Sequence, residues 1–359
     1  MPSDDPASEP GARLRLSVLD QSPISQGQTG AQALRNSVDL ASLTDDLGYH
    51  RYWVAEHHAT PTLACAAPEV LIGPIASATR RIRVGSGGIM LPHYSPFKVA
   101  ECFSVLSGLF PGRIDLALGR ASGTDPMTTL ALQRDRRHQP ADDFPEQLAE
   151  LLAHLEDRLP PGHPFARLAA LHGLPERPEP WLLGSSPQSA VWAAQLGLPY
   201  AFADFISPDS APVTASYRER FNASERLSAP RVALGLMAVC AETEGEAQRL
   251  ASSGRMVFSM LRQGGLIQVP PVDEALHYLE QSRKAPAADG GRRRRRGVVG
   301  SPEQVRSGIE ALAQEYGAEE VIVLTITYDH AARRRSYELI AEAFGPLSAP
   351  AGRAAEPVG

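Results

Sequence analysis

The sequence predicts a (β/α)8 barrel, and three observations lead there. Strand-like and helix-like stretches alternate from one end of the chain to the other, about eight times. The clearest strand, Val321 to Thr327, is a β-branched run without polar alternation, the pattern of a parallel strand covered on both faces. Polar residues gather where strands end, which in a barrel brings them to one rim. A doubly wound open sheet shares the alternation, because periodicity does not show closure.

Taken in order, Leu14 to Leu19 reads as the first strand, opening into Asp20, Gln21, Ser22 and Pro23. Leu34, Val38, Ala41 and Leu47 share a helix face that Gly48 stops. Tyr52 to Ala55 is a strand followed by Glu56, His57 and His58, and a helix runs from Pro68 to Thr79. Ile82 to Ser86 is a strand ending at Gly87 and Gly88. Ser95 and Pro96 start a helix with Val99, Phe103, Leu106 and Phe110 on one side, and Ile114 to Leu118 is the strand after it, ending at Gly119 and Arg120. This βαβ unit is the most legible part of the chain.

The pattern weakens from Ala121 to Ala141, which reads as a long loop with room for one turn of helix. Asp143 and Glu146 fit a capping box for a helix carrying Leu148, Leu151, Leu152 and Leu155. Trp181 to Leu183 is a strand giving way to Gly184, Ser185, Ser186 and Pro187, and the next helix runs through Trp192. Pro199 to Ala203 and Arg231 to Cys240 are strands, with helices over Pro208 to Arg226 and Glu244 to Leu261. Gln263 to Gly300, with five consecutive arginines at Arg292 to Arg296, reads as a mobile insertion. Ser301 and Gln304 form a capping-box pattern for a helix that Gly317 ends, and a last helix runs through Tyr337 to Phe344. The expected organisation is a single barrel over 14–348, with disordered segments at 1–13 and 349–359.

Composition narrows the function. A chain of 359 residues with 43% hydrophobic residues buries a full core, and a net charge of -6 argues against a nucleic-acid partner. Three cysteines without C-x-x-C spacing suggest neither a disulfide framework nor a thiolate metal site. The start is acidic and Pro-rich, without the pattern of a signal peptide, and no apolar run is long enough for a bilayer, so a cytoplasmic location is expected and a membrane partner is not.

Three clusters could do chemistry. At Gly184, Ser185, Ser186 and Ser189, Ser186 caps a helix that Pro187 begins, so free N–H groups, hydroxyls and the helix dipole favour an anion such as a phosphate, with Arg120 as the matching charge. The simpler local reading is a plain cap and a surface ion pair. Gly87 and Gly88 are either a turn or a bare surface for a flat ring. His57 and His58 point to opposite faces of a continuing strand, so one of them looks into the pocket. Glu56 and His58 could reach one metal ion, but no third ligand stands at a recognisable spacing, and no metal site is assigned.

With these residues assembled, the chain resembles the luciferase-like monooxygenases, flavin-dependent barrel enzymes typified by bacterial luciferase. The matching stretches are DQSPI (Asp20 to Ile24), LGYHRYWVAEHH (Leu47 to His58), VGSGGIMLPHYSP (Val84 to Pro96), PGRIDLALGRASGTDP (Pro111 to Pro126) and WLLGSSPQSA (Trp181 to Ala190), in the family's order. The resemblance implies a barrel, usually dimeric through its early helices. It implies FMN, delivered reduced by a separate flavin reductase, that reacts with O2 and oxygenates a small organic substrate through a flavin hydroperoxide. It places the flavin ring at Gly87 and Gly88, where relatives often have a non-proline cis peptide, and the phosphate at Arg120, Gly184, Ser185, Ser186 and Ser189. His57 falls on the position of luciferase's catalytic base. Ser185 stands where luciferase has an acid, and Gly119 where it has a reactive cysteine, so no thiol chemistry follows. A deazaflavin-dependent dehydrogenase of the same superfamily and a non-catalytic flavin-binding protein remain the alternatives.

Overall fold

The computed structural model describes residues 13–120, 125–133, 143–169, 176–284 and 297–347. In chain order the elements are β1 (Arg15–Asp20), α1 (Gly30–Asp46), β2 (Arg51–Val54), α2 (Pro68–Ala78), β3 (Arg83–Met90), α3 (Pro96–Leu109), β4 (Ile114–Gly119), α4 (Pro126–Leu132), α5 (Phe144–Glu156) and β5 (Glu179–Gly184). They continue with α6 (Pro187–Gln195), β6 (Tyr200–Ala203), α7 (Ala211–Glu219), β7 (Val232–Cys240), α8 (Glu244–Arg262), α9 (Val272–Lys284), β8 (Val298–Gly300), α10 (Pro302–Tyr316), β9 (Glu320–Leu324) and α11 (His330–Phe344).

Eight parallel strands close into a ring in the order β1, β2, β3, β4, β5, β6, β7, β9 and back to β1. The predicted barrel is therefore the observed one. β8 stands outside the ring and pairs only with the last residues of β7, Ala238 to Cys240. Residues of the ring alternate between a face turned to the helices and a face turned inward.

The inward face is layered. At the amino end it is ionic: Arg51 donates to Glu320 at 2.6 Å and to Asp115 at 2.8 Å, and Arg83 reaches Asp115 at 2.5 Å and Glu179 at 3.1 Å. Arg231 closes the set on Glu179, so three guanidinium groups meet three carboxylates. Above this plug lie Leu19, Trp53, Ala117, Trp181, Ala201, Ala233 and Ile322. The two indoles meet edge to face at 5.4 Å and each donates its N–H down into the plug, Trp53 to Asp115 at 2.9 Å and Trp181 to Glu179 at 3.0 Å. The barrel is thus plugged at one end and filled in the middle, leaving only the carboxyl end open.

Several local expectations hold and several do not. Ser301 and Gln304 form the capping box of α10, and Gly317 ends it at φ 59°. Asp143 does not form one: its ψ of 22° keeps the carboxylate off the first-turn amides, and it accepts from Gln147 Nε2 at 2.8 Å instead. α7 is shorter than the Pro208 to Arg226 pattern, and β9 ends at Leu324 rather than Thr327. The helical turn allowed for within the loop expected at 121–141 is α4, seven residues long.

The insertion over 263–300 carries regular elements in its described residues. Residues 266–270 form a strap tied to the loops after β1 and β2: Val269 N donates to Ile24 O and Gln26 N to Val269 O, both at 2.8 Å, and Thr62 Oγ1 donates to Ile267 O at 2.6 Å. α9 follows, with Ala275 fully buried. Its apolar face is narrow, which is why the sequence does not announce it. Arg292 to Arg296 lie outside the described residues.

Candidate functional site

Because all ring strands are parallel, their carboxyl ends share one rim. The inward positions nearest that rim are mostly small: Ala55 after β2, Gly87 in β3, Gly119 in β4, Ala203 in β6 and Gly235 in β7. Small residues line the carboxyl-end cup above two tryptophans that are themselves buried.

Gly87 and Gly88 form its wall at β3. Their peptide is cis, and the register with β4 shifts between Gly87 and Ile89. Neither position accommodates a side chain: a Cβ on Gly87 would stand 2.7 Å from Leu19 Cδ1 and 2.9 Å from Trp53 Cβ, and one on Gly88 would stand 2.6 Å from Ala117 O.

Next to it, β4 and β5 pair with Leu118 opposite Leu182, which in continued register sets Arg120 level with Gly184. Gly184 leads into the start of α6. Ser186 is the N-cap (φ -120°, ψ 154°), its Oγ accepting from Ser189 N at 3.3 Å, with Pro187 in the first turn. Ser185 is half-buried and Ser186 exposed. Ser189 is buried, and its hydroxyl donates to Ser186 O at 2.7 Å and bonds Tyr200 OH at 2.9 Å, so it braces the turn from beneath. Arg120 is exposed at the rim, and its guanidinium lies 5.5 Å from the ring of Trp192, on α6 itself. Arg120 therefore lies against α6, beside a residue of its second turn.

The two histidines diverge. Arg51, Trp53 and Ala55 face inward; His57 follows beyond the end of β2 at Val54 and would share their side if the alternation continued. His57 N donates to Cys65 O at 2.9 Å, while its Nδ1 is buried without a hydrogen-bond partner. Burial, and then the neighbouring His58, lower its pKa to about 4, so the ring is neutral near pH 7 and able to accept a proton. Glu56 and His58 face the other way. Glu56 is fully buried and accepts from His58 Nε2 at 2.7 Å, Tyr94 OH at 3.0 Å and Met90 N at 2.9 Å, joining the ends of β2 and β3. Tyr94 was invisible in the sequence as a partner; only the outward parity of Glu56 hinted at one. Among the described residues no group of three or more His, Cys, Asp or Glu side chains could hold a metal ion.

The opposite side of the rim is apolar. Phe205, Met237, Phe258, Ile267 and Tyr328, all partly buried, pack against the inner cluster that includes Ile326. A separate cavity of about 260 Å³, lined by His154, Asp157, Leu159, Arg167 and Leu168 among others, lies in the helical layer, and none of its lining residues is at a strand end.

A plugged parallel barrel whose carboxyl end gathers a serine-capped helix start, paired glycines and a buried imidazole has the architecture of barrel enzymes, whose sites lie at that rim. The chain belongs to the luciferase-like monooxygenase family, which it matches over residues 14–320. It is 37% identical over 337 residues to the N-acetyl-S-alkylcysteine monooxygenase of Bacillus subtilis (strain 168), covering 92% of this chain and 98% of that one. Among solved structures, apo-MsnO8 superposes with a TM-score of 0.85 at 42% identity, over 92% of this chain and 98% of that one. The oxygenating constituent of 3,6-diketocamphane monooxygenase from Pseudomonas putida, solved in complex with FMN, shares the fold with a TM-score of 0.69 at 20% identity, over 94% of this chain and 99% of that one.

Proposed function

We propose that this enzyme is a monooxygenase that uses FMN, supplied reduced by a separate reductase, and O2 to oxygenate a small organic substrate. The observation that supports the reading is the approach of Arg120 to α6, level in register with Gly184 and the serine-capped start of that helix, on the strand next to the paired glycines Gly87 and Gly88. The residues present fit FMN. Gly87 and Gly88 place no side chain at the end of β3, which suits a flat tricyclic ring, and a helix start with the hydroxyls of Ser185 and Ser186 and the guanidinium of Arg120 suits a phosphate.

When bound, reduced flavin would supply the electrons that activate O2. The chain's own residues do the rest. Arg120, Ser185, Ser186 and the amides opening α6 hold the phosphate, with Ser189 bracing the turn. Gly87 and Gly88 let the ring approach the backbone. His57, neutral and with an unengaged Nδ1, takes up a proton at that atom. The exposed Val70 on α2 and Val105 and Leu109 on α3 offer a surface on which two copies would pair.

The test is a titration of the protein with FMN, in oxidised and reduced forms, alongside riboflavin. FMN is expected to bind at least about tenfold tighter than riboflavin, and Arg120→Ala to lose about 2 kcal/mol with FMN and little with riboflavin. Equal affinity of Arg120→Ala and wild type for FMN would overturn the assignment. The same titration with a deazaflavin, following O2 consumption, separates the dehydrogenase alternative.

A further inference from the structure

We infer that the substrate is an uncharged, largely apolar molecule seated against the β6, β7 and β9 side of the cup, beneath the strap over 266–270. The inference rests on the flavin reading, which assigns the β2 to β5 side to the cofactor. What remains is a wall of hydrocarbon. Phe205 follows β6, Met237 lies on β7, Ile326 and Tyr328 follow β9, Phe258 comes from α8 and Ile267 from the strap. Phe205 reaches over β7, its Cε1 being 3.2 Å from where a Cβ on Gly235 would stand.

The polar groups of this wall are already engaged. Tyr328 OH donates to Gln26 O at 3.2 Å, Tyr328 O accepts from Ser25 Oγ at 2.5 Å, and Ile267 O accepts from Thr62 Oγ1 at 2.6 Å. The acids that follow these strands bind the helical layer instead of facing the cup. Asp204 accepts from Tyr316 OH of α10 at 2.7 Å, Glu242 pairs with Arg335 of α11 at 3.0 Å, and Asp329 caps α11. A charged ligand group pressed on this wall would lose its hydration without a partner, whereas an apolar one gains by leaving water. The Tyr328 and Phe205 rings add a preference for flat or aromatic bodies.

The experiment uses the full chain with FMN and three probes that share one ring system: 2-acetylnaphthalene, 2-naphthoate and 2-naphthylmethylammonium, each titrated by calorimetry. The neutral ketone is expected to bind at least about tenfold tighter than either ion. Phe258→Arg and Ile267→Arg, each checked by thermal melting for an intact fold, are expected to weaken the ketone and strengthen naphthoate. An ion binding as tightly as the ketone, no binding by any probe, or unchanged affinities in both folded variants would overturn the inference. FMN affinity, measured in the same samples, is expected to stay at the wild-type value. Its absence in wild type would overturn the flavin reading and leave the order of the three probes as a separate result.

Discussion

Replacing Arg51 with methionine keeps roughly the length of the side chain and removes the charge at the centre of the barrel plug. Arg51 is 1% exposed, and its guanidinium sits 4.7 Å from the Trp181 ring while bonding Glu320 and Asp115. Asp115 would retain Arg83 and the Trp53 N–H, but Glu320 would keep only the hydroxyl of Ser17. Burial by itself raises the Glu320 carboxyl; Arg51, then His50, and the hydrogen bonds from Ser17 and Arg51 bring it down from 4.5 to about 2. At 1.36 kcal/mol per unit that depression represents about 3 kcal/mol at neutral pH, in the range for breaking a buried ion pair. With an unfolding entropy of about 2.1 cal/mol/K per residue, a barrel of this size should melt about 4 °C lower.

The pH dependence gives the reasoning a sharper edge. In wild type the folded pKa of Glu320 is depressed, so its contribution is present above 4.5 and lost as pH falls toward about 2. In Arg51→Met, unopposed burial places the carboxyl above its ordinary value, and protonation relieves the penalty as the pH is lowered from neutrality. Thermal melts followed by circular dichroism at pH 7.5 and pH 5 should therefore show a gap that narrows at pH 5, and Arg51→Met with Glu320→Gln should recover most of the loss. A single variant melting within about 1 °C of wild type at pH 7.5, or a gap of equal size at both pH values, would refute the account.

Other outcomes follow from the rim. His57→Ala should keep FMN affinity and slow the proton-dependent step of reduced-FMN oxidation by about 100-fold or more in stopped-flow absorbance. In wild type the acid limb of that step should lie near pH 4 rather than 6.5, because burial and His58 lower the ring's pKa to about 4. Gly88→Ala should cost about 1–3 kcal/mol in a denaturant titration, since its Cβ would meet the backbone oxygen of Ala117 at 2.6 Å. Ser189→Ala should cost about 1 kcal/mol of stability, through the lost bonds to Ser186 O and Tyr200 OH, and change FMN affinity less than Arg120→Ala does.

Much of the fold was legible because its signals are local. The stretch from Ile82 to Arg120 carries strand, stop, cap and helix face within reach of one another, and the structure follows it apart from two points: β3 runs on to Met90, and Ser95 holds the N-cap position of α3 without a side-chain bond to the first turn. α10 announced both of its ends through Ser301, Gln304 and Gly317. Where a signal depends on what packs opposite, the sequence was silent. α9 has a narrow apolar face that makes sense only against α8, β8 is three residues whose partner is the tail of β7, and the strap is held by loops more than two hundred residues away in the chain.

The site divides in the same way. Sequence alone determined the chemical types available at each strand end: glycines at 87 and 88, a cation at 120, a serine-rich helix start at 184–189 and paired histidines at 57 and 58. Residue type and spacing are covalent facts, so those assignments needed no third dimension. Only the closed ring decided which of these groups share a surface, setting Glu56 against His58 and Tyr94, bringing Arg120 onto Trp192 of α6, and gathering Phe205, Met237, Phe258, Ile267 and Tyr328 into one wall. The reason is physical: strand parity and barrel closure bring together side chains that are distant in the chain, and the burial and lost hydration that set their chemistry arise only from that proximity.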